Sequence, residues 1–245
     1  CSMQAQPSQT AEPEQKAVLY VLAAQIDTKV LARGETPNSR EARLLAKLTE
    51  DRSQGFYEKV QTRVLFGEQA SRANILKGFA WLQTNMRDQD VAVVFIAGHG
   101  SYDEIHHLYA YHPVGGPIRA AEFRRAFNSI RGRKVLLLQT CHASGVLETA
   151  AGDRPFRKTM VICACDNDEE ATKLMGRQMI LGLANMAAEP NGIITTQSLA
   201  RWIELRVPFI SKGSQQVQIS RPPLFSDFPL VTKGEQIDPS QTGRF

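Results

Sequence analysis

Apolar runs of strand length alternate along this chain with segments of helical period. That alternation narrows the possible folds more than any other feature. "AVLYVLAA" (17–24), "VAVVFIAGHG" (91–100), "KVLLLQTC" (134–141) and "TMVICAC" (159–165) are unbroken apolar stretches, as expected for strands covered on both faces. "VQTRVLFG" (60–67) is a further strand candidate, and "HLYAYHPV" (107–114) a short hairpin arm. Between them, "SREARLLAKLTE" (39–50) has a Ser cap and helical spacing, and residues 71–86 carry a stripe of Ile75, Leu76, Phe79 and Leu82. "RAAEFRRAFNSI" (119–130), "LMGRQMILGLANMA" (174–187) and "TTQSLARWIELRVPFI" (195–210) complete the helices. The pattern predicts a single α/β domain with a mostly parallel central sheet and helices on both faces. The expected division is a polar N-terminal tether (1–16), the domain (17–231) and a polar tail (232–245).

The chain has 245 residues, 42% hydrophobic and 22% charged, with a formal net charge of +4. Lys and Arg are spread along it, so nucleic acid is not an expected partner. No apolar run approaches the roughly 20 residues of a membrane span. Cysteines stand at 1, 141, 163 and 165. Cys163 and Cys165 share one face of a strand and read as small apolar fillers, and no further pair completes a zinc site. Cys1 heads a Pro- and Gln-rich leash. It reads either as the lipidated first residue of a mature bacterial lipoprotein, hence an envelope protein, or as an arbitrary starting point of a cytoplasmic one.

Reactive residues stand at two strand ends. "VFIAGHG" delivers His99 and "LLLQTC" delivers Cys141, with one helical crossover between them. In open α/β sheets, sites form at the carboxyl ends of neighbouring strands, so adjacent parallel strands would set imidazole and thiol on one rim. A free thiol titrates near pH 8.5, and a nearby imidazole can take its proton. The Gly100 and Cys141 N–H groups can then hold the oxyanion of a tetrahedral intermediate. Ala143, Ser144 and Gly145 keep the approach open.

These residues resemble the caspase-like cysteine peptidases, which include caspases, metacaspases and bacterial relatives. "QTCHASG" shares the Gln and Cys of the caspase signature Gln-Ala-Cys-[Arg/Gln/Gly]-Gly, with the His upstream. The His after the nucleophile is closer to the metacaspase form. "FYEKVQTRVLFGEQASRANILKGFAWLQ", "LYAYHPV", "TMVICACDNDEEATK", "GIITTQSLARWIELRVPFI" and "QQVQISRPPLFSDFPL" resemble further family segments, so the likeness covers about residues 17–231. The resemblance implies Cys141 as nucleophile, His99 as general base and acid, and Gly100 and Cys141 as oxyanion donors. It implies hydrolysis of a protein or peptide through a thioester, with no cofactor and no metal.

The chain departs from the metacaspase pattern at Gln139, where many members carry Asp for a basic P1 residue. Two readings of the pocket follow. Asp166 and Asp168 in "CDNDEEATKLMG" (165–176) would restore a basic preference, whereas Lys173 with Gln139 would favour an acidic one. The short linker "VLETAAGDRPFRK" (146–158), with basic residues at 154, 157 and 158, suggests a chain that works uncut. His106, His107 and His112 read as rim residues and His142 as a turn residue. Two other readings compete: a non-catalytic caspase-like binding or scaffolding module, and a thiol-redox domain built on Cys163 and Cys165. The spacing of that pair is poor for a relaxed disulfide.

Overall fold

The computed structural model describes residues 16–26, 40–149 and 153–234. The proposed leash with Cys1, and most of the polar tail, lie outside these residues. A six-stranded sheet runs in the order β10-β8-β7-β3-β1-β2. Its strands are β1 (Leu19–Gln25), β2 (Val60–Phe66), β3 (Val91–Ala97), β7 (Arg133–Gln139), β8 (Thr159–Cys163) and β10 (Gln218–Ser220). All neighbours pair parallel except β10, which runs antiparallel to β8 at the edge. The mostly parallel sheet anticipated from the sequence is therefore present.

The apolar runs are continuous because each strand buries both faces. Leu19, Val21, Ala23, Val93, Phe95, Val135 and Leu137 join one core. α1 (Arg40–Arg52), α4 (Leu174–Leu181) and α5 (Thr196–Ile210) cover it. Tyr20, Leu22, Val94, Ile96, Leu136 and Leu138 join the other. α2 (Arg72–Asn85) and α3 (Ala120–Ser129) cover that one. Ser71 caps α2, its side chain accepting from the Asn74 N–H; the Ser cap expected at residue 39 lies outside the described residues. Each face keeps strict period-2 alternation, so a one-residue slip would exchange the two cores.

Two small sheets complete the fold. β4 (Gly100–Asp103), β5 (Leu108–Tyr111) and β6 (Ile118–Arg119) form an antiparallel sheet directly after His99. β9 (Ile193–Thr195) pairs with β11 (Pro229–Thr232). The stretch 215–230, which by the family resemblance corresponds to a terminal strand, splits between two sheets, with Pro222 and Pro223 in the connection. α4 passes into a π-helical turn at Gly182–Met186, where Asn185 is tied to the backbone of Gly234. No helix among the described residues is long and apolar enough to cross a membrane.

At the amino ends of the strands one carboxylate organises three chain segments. The Asp90 side chain is fully buried and accepts from the Val18 N–H (2.8 Å), the Arg87 N–H (2.7 Å) and the Arg87 guanidinium (3.0 Å). Its own carbonyl accepts from the Arg133 N–H across a turn at Gly132 (φ +71°). Burial alone would raise this carboxyl, but the Arg87 guanidinium and the two amides outweigh it and hold it below 3.8. Asp90 therefore contributes stability that is full above the unfolded value and is lost as pH falls through the lower native one. Asp90→Asn should cost about 3 kcal/mol in urea unfolding at neutral pH. The gap between variant and parent should shrink below about pH 4.

Candidate active site

The cleft follows from strand register. Gln25 pairs with Ala97 and Ala97 with Gln139, so the three form one row across β1, β3 and β7 at their carboxyl ends. β1 and β3 flank the point where the strand order reverses, the usual ligand site of such sheets. All three share the parity of the core under α1 and α4. The small Ala97 between two glutamines leaves the floor open. Two positions beyond the ends of β3 and β7 come His99 and Cys141, on the same rim. His99 is exposed and Cys141 half-buried. Both line a cleft of about 210 Å³ whose other walls include Gln25, Gln139, Thr172 and Lys173.

Each floor glutamine caps a helix. Gln25 Oε1 accepts from the Ala42 N–H in the first turn of α1, and its amide donates to Glu41. Gln139 Oε1 accepts from the Gly176 N–H in the first turn of α4. Such caps stabilise by about 1 kcal/mol. The Gly176 bond also fixes the Gln139 amide, leaving its NH₂ as the group available to the cleft. Nothing in the sequence marks Gln25 beyond its ending an apolar strand, just as Gln139 does.

Two backbone donors stand at the rim. His99 accepts from His112 N–H at 2.9 Å, and Gly100 pairs with Tyr111. In the antiparallel alternation Gly100 therefore occupies a step whose N–H points out of the ladder. The Cys141 N–H has no hydrogen-bond partner among the described residues. Gly100 packs tightly against the nucleophile turn: a Cβ there would fall well inside contact of the Cys141 carbonyl oxygen and 2.9 Å from Thr140 Oγ1.

The remaining residues named from the sequence separate. Lys173 lines the cleft. Asp166 does not: its carboxylate accepts from Ser144 Oγ (2.8 Å), its neighbour's Asn167 N–H (2.8 Å) and Gln218 Nε2 (3.0 Å). Asp168 lines a different depression, with Tyr102, His107 and Glu148. There Tyr102 donates to Glu148 and meets His107 Nδ1 at 2.9 Å. Burial and the Glu148 carboxylate push the Tyr102 phenol up to about 12, so it remains a donor. His106 bonds Asp103, and His112 bonds Ser101. Gln215, fully buried, was also not singled out. It holds the pocket wall by accepting from the Thr172 N–H (3.0 Å) while donating to the Ala164 carbonyl (2.7 Å). Nothing local in "GSQQVQ" marks which glutamine does this. Cys141, Cys163 and Cys165 are free thiols, and no group of three or more His, Cys, Asp or Glu among the described residues could hold a metal ion.

The chain belongs to the caspase-domain family: a model of the caspase domain matches residues 37–229. Among solved structures, protein GSU0716 from Geobacter sulfurreducens aligns with a TM-score of 0.61 at 13% identity, covering 89% of this chain and 97% of that one. The Drosophila initiator caspase Dronc aligns with a TM-score of 0.58 at 11% identity, covering 84% and 80%. No curated protein sequence matches.

Proposed function

We propose that this chain is a cysteine endopeptidase acting through Cys141 and His99. The observation that carries the reading is that His99 and Cys141 each follow the paired strand ends Ala97 and Gln139 by two positions and line one cleft. The His99 imidazole takes the Cys141 thiol proton, and the thiolate attacks the scissile carbonyl. The Gly100 and Cys141 N–H groups receive the oxyanion. His99 returns the proton to the leaving amine as the C–N bond breaks, leaving a thioester. A water deprotonated by His99 then attacks the thioester, releasing the acid product and restoring the thiol.

The cleft also favours one P1 class. No carboxylate residue lines it among the described residues, whereas Gln139 and Lys173 do. A donor amide and a cation suit a P1 carboxylate or carboxamide, and a guanidinium there would find no counter-charge. With Asp166 held by Ser144 and Gln218, the basic-P1 reading loses its nearer anion. A positional-scanning fluorogenic peptide library tests both parts. Cleavage should concentrate on Asp, Glu, Asn or Gln at P1. Lys173→Glu should lower kcat/KM for the acidic peptides by about tenfold and spare the carboxamide ones. A preference for Arg or Lys would contradict the pocket assignment, and no cleavage of any peptide would contradict the peptidase.

A further inference from the structure

Both neighbours of the nucleophile are gripped by the same short segment, residues 165–169. On one side, Cys165 Sγ lies 3.3 Å from the Thr140 carbonyl oxygen and 3.3 Å from the Glu169 carbonyl oxygen, its single S–H shared between them. On the other, the His142 N–H donates to the Glu169 carbonyl at 2.9 Å. The His142 imidazole contacts the Asn167 carbonyl through Nδ1 at 2.7 Å, so Nδ1 carries the proton. The Ser144 N–H closes the set on the Cys165 carbonyl at 3.2 Å.

His142 is held in an unfavourable backbone conformation. Its φ of 57° and ψ of 27° lie in the left-handed region, which is unfavourable for a non-glycine residue. A turn needing only to reverse the chain would be satisfied by glycine there. Strain of this kind persists where the surroundings over-determine it, and it clusters at functional sites. The two bonds to residues 167 and 169 are what hold it.

Cys165 suits the donor role. Burial pushes its thiol up to about 11, against the pull of the His142 and Ala143 amides, so it carries its proton at neutral pH. It is not a competing nucleophile, being fully buried. The segment then runs directly into Ala171, Thr172 and Lys173 on the cleft wall.

We infer that His142 and Cys165 are positioning residues, which clamp the turn carrying Cys141 to the 165–169 segment and so fix the thiol relative to His99. The inference rests on the peptidase reading and concerns what holds its nucleophile. It gives the strained His142 and the buried Cys165 one shared task, and it links the wall that contacts P1 to the placement of the thiol.

The test uses His142→Gly, which relaxes the backbone but removes the imidazole bond, and Cys165→Ala, which removes the S–H. Cys165→Ser keeps a hydrogen-bond donor and serves as the conservative variant. With the best library peptide, His142→Gly and Cys165→Ala should lower kcat by about ten- to a hundredfold, with KM changed less than about twofold. Cys165→Ser should recover most of the loss. Independently of turnover, the rate of Cys141 alkylation by iodoacetamide as a function of pH, read by peptide mass spectrometry, should differ from the parent's in the first two variants, because the turn that places the thiol is no longer held. Lowered thermal stability with kcat and alkylation profile as in the parent would overturn the clamp and leave the two residues merely structural. If the parent cleaves no peptide, the peptidase reading fails on that result, and the alkylation profiles alone decide the clamp.

Discussion

Cys141→Ala is expected to remove peptide hydrolysis, by at least about a thousandfold, while leaving the fold as it is. The activity loss follows because covalent catalysis has no substitute nucleophile in the cleft: Cys163 and Cys165 are fully buried, and burial raises both thiols. The preserved fold follows from how the turn is held. Its anchors are the Thr140 carbonyl, the His142 N–H and the Ser144 side chain, none of which uses the Cys141 sulfur. The thiol is half-exposed, so its removal opens no closed cavity. The thermal midpoint of the variant should lie within about 2 °C of the parent, inside the ±0.5 kcal/mol usual for such sites. Assaying hydrolysis and melting on the same preparation separates this outcome from general damage.

Gly100→Ala should be nearly as damaging to activity, for a steric reason. The added methyl would enter contact distance of the Cys141 carbonyl, with Thr140 Oγ1 at 2.9 Å beside it. Thr140 cannot retreat freely, because its hydroxyl is bonded to the buried Tyr109 phenol at 2.8 Å and its carbonyl to Cys165. The strand must therefore move at Gly100, taking with it the N–H that faces the developing oxyanion. Losing one such donor costs about 10²–10³ in kcat, and clashes of this kind destabilise by about 1–3 kcal/mol. Gly100→Ala should accordingly lower kcat more than a hundredfold and lower the melting temperature measurably. Cys141→Ala should leave the melting temperature where it was, and that contrast distinguishes a displaced backbone from a missing thiol.

The large-scale fold was readable because its cause is local. A strand buried on both faces is apolar almost throughout, and "VAVVFIA" and "VLLL" can scarcely satisfy anything else. The common placement of His99 and Cys141 was readable for a related reason: each follows such a run, so adjacent parallel strands bring them to one rim. The register was not readable. Nothing in the sequence says that Ala97 sits between Gln25 and Gln139, because that depends on strands pairing across long separations. The helix-capping role of Gln25 was hidden for the same reason, since the amide matters only once α1 arrives beside it. Asp166 shows how charge misleads. In sequence it belongs to an acidic run beside the pocket, but its partners Ser144 and Gln218 lie 22 and 52 positions away, and they bind it away from the cleft. The split of the terminal strand turns on three-residue β10, too short for any periodic signal.

The most direct test of the account is covalent trapping. The parent, Cys141→Ala and His99→Ala would each be treated with a peptidyl acyloxymethyl ketone bearing aspartate at P1, and the adduct located by mass spectrometry. One adduct is expected, on Cys141, formed fastest by the parent and at least about a hundredfold more slowly without the His99 imidazole. An intact, folded parent that forms no adduct, or a rate at Cys141 indifferent to His99, would contradict the assignment of the two residues as nucleophile and base.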